Sequence, residues 1–185
     1  MKFMKKKTKI GKKTKMNKFD VLTCVEDERW KVSLNDIEDV VDACKNAVIK
    51  AVQKDVWFLS KSKNFSVNLN LSDDEAIKGL NKEFRGIDKP TNVLSFANID
   101  DEFFDETLQG QGDVCLGDVM IAYETMVHQA DELGISLKDH FCHLWVHGLL
   151  HILGFDHIQE KERIEMEAEE IEILNTLGIE NPYQE

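Results

Sequence analysis

Residues 147 to 157 read His-Gly-Leu-Leu-His-Ile-Leu-Gly-Phe-Asp-His, and this run constrains the fold more than any other part of the chain. His147 and His151 are four apart, so on a helix they project from one face, one turn above the other. Gly154 lets such a helix end in a left-handed residue and turn back. His157 then arrives from a different direction, and three imidazole nitrogens converge. A lone H-x-x-x-H reads as ordinary histidines on a partly buried helix. The glycine and the third histidine fall where a returning ligand needs them, which favours a metal site. Three protein ligands with a fourth position open is the arrangement of catalytic rather than structural zinc. His147, His151 and His157 are therefore the expected ligands of one zinc ion at the centre of a hydrolase, although three imidazoles also accept nickel or copper.

The other histidines fit this picture less well. His143 shares the helical face of His147 and His151. However, His143 and His151 are about 12 Å apart along the axis, so one straight helix cannot surround an ion with all three. His143 is expected to pack or hydrogen-bond nearby, and His128 and His140 to lie on the surface. The spacing also resembles the metzincin protease pattern H-E-x-x-H-x-x-G-x-x-H, except that Gly148 stands where those enzymes carry their catalytic glutamate. A peptidase without that general base is disfavoured. A site without that carboxylate is also more hospitable to a phosphodiester.

The 185 residues suffice for one domain, with 42% hydrophobic and 31% charged side chains. The most apolar run, Leu144 to Phe155, falls short of the ~20 residues that span a bilayer and contains histidines, so no membrane span is expected. Cys24, Cys44, Cys115 and Cys142 form no C-x-x-C pair. They read as small core residues of a cytoplasmic protein, with Cys142 alone kept as an outside candidate ligand. Charge is uneven. Residues 1–18 hold nine lysines and no acid, leaving 14 basic against 35 acidic side chains in the rest, a net charge of −21 there against −12 overall. That segment, residues 1–18, reads as a basic disordered tail. It is either a solvated extension (or an early start, Met4 and Met16 being alternatives) or an electrostatic arm for nucleic acid.

Residues 19–185 read as one domain of the α+β kind, a small mixed sheet of about four strands packed with helices. Strands are expected at Phe19 to Val25, around Val67, Leu69 and Leu71, at Thr91 to Ala97 and at Leu116 to Ala122. Ser33 with Asp36, and Ser72 with Glu75, resemble capping boxes opening helices that run to about Lys54 and Phe84. Asp100 to Gly112 reads as an exposed loop or hairpin. Further helices are expected at Tyr123 to Leu133, from Ser136 to about Leu153, and at Glu160 to Leu177, the last acidic on its outer face.

HGLLHILGFDH, with TNVLSF at 91–96, LGDVMIA at 116–122 and the C-terminal LG...NPY, resembles the bacterial YbeY family over about Phe19 to Tyr183. The resemblance implies a zinc-dependent, single-strand-specific endoribonuclease acting in ribosomal RNA maturation, at the 3′ end of the small-subunit RNA, and in ribosome quality control. Its partners would be ribosomal RNA and the ribosome or ribosomal proteins. It places the zinc ligands on His147, His151 and His157, and the functional arginine on Arg85 within LNKEFRGIDKPTNVLSF. This chain has Asn92 where the family often has aspartate, which removes a carboxylate expected beside the site. Arg85 would hold a phosphate by a bidentate fork and stabilise developing charge. Asp156 is either an acceptor orienting a ligand imidazole or a turn residue.

The sequence pI near 5.0 argues against a broadly basic RNA-binding face. The acids are segregated, however, with five between Asp100 and Glu106 and nine glutamates between Glu160 and Glu185. Lys78, Lys82, Arg85 and Lys89 recur together and could border a local positive cleft, making RNA binding local and salt-sensitive. The competing reading is a ribosome-assembly binding factor whose metal site is mainly structural.

Overall fold

The computed structural model describes residues 18–184. The expected basic tail, apart from Lys18, lies outside the described residues. Four strands form one mixed sheet in the order β1-β2-β4-β3. They are β1 (Phe19–Val25), β2 (Phe65–Ser72), β3 (Val93–Ala97) and β4 (Val114–Ala122). β1, β2 and β4 run parallel, with Val21 opposite Val67 and Leu69 opposite Val119. β3 pairs antiparallel to β4, with Ser95 opposite Val119, and forms one edge of the sheet.

Parallel neighbours need long crossovers, and helices supply them. α1 (Arg29–Ser33) and α2 (Ile37–Val52) join β1 to β2, and α3 (Asp74–Arg85) leads towards β3. After β4 come α5 (Tyr123–Leu133), α6 (Leu137–Ile152) and α7 (Glu160–Thr176), with the short α4 (Phe104–Gln109) between β3 and β4. The expected α+β fold with a small mixed sheet of four strands is what the chain adopts.

Side-chain alternation divides the core between two faces of the sheet. Val119 and Ile121 of β4 join the large cluster formed with α2, α6 and α7. Ala122 and the half-buried Met120 point the other way and join Ile77 of α3 and Leu94 of β3. α6 is apolar nearly all round because α2, α5, α7 and the sheet all cover it. Trp145 fixes it to α2 by donating its indole N–H to the Val41 carbonyl at 3.2 Å.

Three local expectations need correction. Ser33 caps nothing. Its hydroxyl bonds that of Tyr123 at 2.6 Å, and Asp36 stands at the start of α2 without a side-chain cap bond. Asp73, not Ser72, caps α3 by accepting from the Ala76 N–H at 2.9 Å, because the Ser72 hydroxyl is committed to Glu26. The acidic stretch 100–112 is not all exposed loop. Phe104 and Leu108 are buried one turn apart, which folds part of it as α4.

Candidate metal centre

α6 carries His147 and His151 to the end of the helix nearest the β3 edge of the sheet. Gly154 adopts φ of 95° there, and the Phe155 N–H returns to the Leu150 carbonyl at 3.0 Å, closing the helix. The next residues reverse direction. Asp156 accepts the N–H of His157 through Oδ1 at 2.7 Å, and its carboxylate makes no hydrogen bond to a histidine ring among the described residues. One nitrogen from each of His147, His151 and His157 lies within 4.8 Å of the other two. The spacing read from the sequence therefore closes into a cluster that can hold a metal ion.

The hydrogen bonds around the cluster determine which nitrogens are available. Glu170 of α7 is fully buried, and its Oε1 accepts from His147 Nδ1 at 2.7 Å. The Phe155 carbonyl accepts from His151 Nδ1 at 3.0 Å. Each acceptor fixes the proton on Nδ1, so both Nε2 atoms present lone pairs, and they stand 3.1 Å apart. Two lone pairs facing at that distance repel unless a cation lies between them. Tetrahedral zinc with Zn–N bonds of about 2.0–2.1 Å separates neighbouring nitrogens by about 3.3 Å, so the donor pair fits such an ion. Burial and then the facing imidazoles of His147 and His157 bring His151 down to about 4, keeping it neutral as a metal ligand must be.

Glu170 has further partners. Burial drives its carboxyl up, but hydrogen bonds from His143, His147 and Tyr183 outweigh it and hold the group down at about 2. Oε2 takes a short bond from the Tyr183 hydroxyl and lies 3.3 Å from His143 Nε2. The Tyr183 phenol is pushed well up by burial and by that carboxylate. His143 thus packs and bonds beside the cluster without joining it. The sequence reading missed Glu170, taking it for one of many outward acids. A signal was present: Met166, Ile173 and Leu174, at i−4, i+3 and i+4, are the buried residues of α7, and Glu170 lies on their stripe.

Gly148 has a steric reason. A Cβ built there would lie 2.8 Å from Val119 Cγ1 and 3.2 Å from Ser95 Oγ, since α6 passes close against β3 and β4 at this point. The position of the metzincin glutamate therefore faces the sheet and has no room for a side chain.

The three histidines line a cleft of about 590 Å³ with β3 along one side and the end of α3 beside it. Arg85 lines this cleft, and its side chain makes no hydrogen bond or ion pair among the described residues. Asp100 and Asp156 also line it. The expected lysine border does not form. Lys82 pairs with Asp88 at 2.7 Å, Lys78 approaches the same carboxylate at 3.9 Å, and neither they nor Lys89 line the cleft. Asn92 is also absent from the lining. It donates to Gln129 at 2.9 Å, which in turn meets His140 Nε2 at 3.1 Å. His140 is buried, contrary to the surface position expected for it, because α5 covers that side of α6; His128 is exposed as expected. Cys142 is buried against Cys44, away from the cluster, whereas Cys24 and Cys115 are exposed, contrary to the core positions expected for them.

A family model described as Endoribonuclease YbeY matches residues 24–178. Two relatives carrying the same description come from Rhodospirillum rubrum and Paramagnetospirillum magneticum. The first is 43% identical over 83% of this chain and 76% of its own length. The second is 49% identical over 64% of this chain and 71% of its own. A solution structure from Thermotoga maritima aligns over 90% of this chain and 99% of its own, with a TM-score of 0.49 and 20% identity.

Proposed function

Because this chain belongs to the YbeY endoribonuclease family, we propose that it cleaves single-stranded RNA with one zinc ion held by His147, His151 and His157, and that it acts on ribosomal RNA during maturation and quality control. The observation carrying this reading is the pair of Nε2 lone pairs 3.1 Å apart, with His157 completing the set, on the wall of a cleft that Arg85 also lines. A structural zinc site is closed by four protein ligands, whereas this cluster offers three and opens onto a cleft. That favours catalysis over the assembly-factor reading with a mainly structural metal. The crowding at Gly148 counts against a peptidase.

What zinc supplies at such a site is Lewis acidity, enough to bring the pKa of coordinated water near ~7 or to polarise a phosphoryl oxygen. The protein's own groups do the rest. Glu170 and the Phe155 carbonyl hold two imidazoles in the tautomer that turns Nε2 inward. Arg85 offers a planar fork, unpaired among the described residues, to a backbone phosphate and stabilises charge that builds on it. Recognition is local, since the chain carries net −12, and added salt weakens it. No described helix is long and apolar enough to cross a membrane.

Single-turnover cleavage of an end-labelled single-stranded RNA by wild type and His151→Ala tests this proposal. Loss of cleavage in the variant supports it. Equal residual cleavage in both points to a contaminating nuclease and removes the enzymatic reading, leaving the assembly-factor alternative.

A further inference from the structure

We infer that Phe84 is the residue through which the cleft selects unpaired RNA, by stacking on the base of a nucleotide whose phosphate Arg85 holds; the inference rests on the endoribonuclease reading above. On α3, Ile77, Leu80, Asn81 and Phe84 form one stripe at helical spacing. Ile77 is fully buried and Leu80 packs on the same small cluster, but Phe84 runs past the sheet and is 61% exposed. A phenylalanine so exposed is not serving the core. Its ring meets Phe96 of β3 edge to face, with centroids 5.0 Å apart and planes at 62°. That contact steadies the ring while leaving much of its surface to solvent.

The position of the ring links it to RNA. Phe84, Phe96 and Arg85 line the same cleft as His147, His151 and His157. Aromatic side chains bind single strands by stacking on base faces, a contact every base can make. In a duplex those faces are already covered by neighbouring bases, so a stacking residue beside the reacting phosphate rewards only a nucleotide that is already unpaired. Arg85 is the next residue in the chain and unpaired among the described residues. Phosphate and base contacts therefore come from adjacent positions at one helix end.

The test pairs protein and substrate changes. The substrates are a single-stranded oligoribonucleotide cut at one place and versions with a single abasic nucleotide on either side of the cut. Binding is measured by fluorescence anisotropy on metal-free protein, and KM and kcat on zinc-loaded protein. In wild type, one abasic substitution weakens binding and raises KM by roughly 5-fold or more with little change in kcat. Phe84→Leu loses the same factor on the intact RNA and becomes indifferent to the abasic site, while Phe84→Tyr behaves as wild type. Phe84→Leu also narrows the preference for single over double strands. A Phe84→Leu protein that binds intact RNA as wild type does and keeps its abasic sensitivity overturns the inference and leaves the enzymatic reading standing. Wild type that neither binds nor cuts the intact RNA overturns both.

Discussion

Glu170 Oε1 lies 2.7 Å from His147 Nδ1, from a fully buried carboxylate on a helix whose other glutamates are exposed or half-buried. A buried carboxylate is costly unless every oxygen is hydrogen-bonded. Here one oxygen takes the imidazole and the other takes Tyr183 and His143. Through Glu170, 23 residues beyond His147, α7 thus orients a histidine on α6.

Replacing that carboxylate tests its role. Glu170→Gln keeps the volume but removes the charge, and should weaken zinc binding roughly 10- to 100-fold, as loss of an acceptor behind a ligand histidine does. Competition with a chromophoric chelator measures this, and circular dichroism shows whether the fold persists. Unchanged affinity in a folded variant contradicts the role given to Glu170.

Gly148→Ala should cost stability although alanine favours helix. The helical gain is about 1 kcal/mol, whereas overpacking against Val119 and Ser95 costs about 1–3 kcal/mol. Each net kcal/mol lowers Tm by roughly 2–4 °C at this chain length. A rise in Tm on scanning calorimetry contradicts the close approach of α6 to the sheet.

The histidine cluster was legible because it is local. A spacing of four fixes the first two side chains on one turn, and glycine at 154 permits the reversal that brings in the third. Glu170 was harder to read because only packing distinguishes it from its neighbours on α7. The caps failed for a related reason. Ser33 and Ser72 had suitable spacing, but Tyr123 and Glu26, far away in sequence, compete for their hydroxyls. Strand positions were readable from alternation, whereas the order β1-β2-β4-β3 depends on long-range pairings that no local pattern encodes. The lysines near Arg85 suggested a basic cleft, and Asp88 neutralises two of them.

His140 gives a pH signature. Burial and the nearby His143 lower its folded pKa from 6.5 to about 4. Between those values the unfolded chain takes up a proton that the folded state refuses, so stability falls as pH drops from 6.5 towards 4. The effect is on the order of 2 kcal/mol. Glu170 acts lower, its contribution being lost as pH falls from 4.5 through about 2. Urea unfolding of metal-free protein should show a shallower acid slope between pH 6.5 and 4 in His140→Gln than in wild type. Equal slopes assign the loss to other groups.

Arg85→Ala should lower kcat/KM for RNA by roughly 100-fold or more while leaving zinc affinity unchanged, as expected for a group that stabilises developing charge without touching the metal. Arg85→Lys should recover only part, because an ammonium lacks the planar fork. Full activity in the alanine variant removes Arg85 from the reaction.

X-ray absorption at the zinc edge tests the central claim most directly, because it reads the ligand shell without relying on activity. Wild type loaded with one equivalent should show three imidazole nitrogens at about 2.0–2.1 Å, and His157→Ala should show two. A shell containing sulfur, or one that is identical in wild type and the His157 variant, would contradict the convergence of these three histidines on one ion.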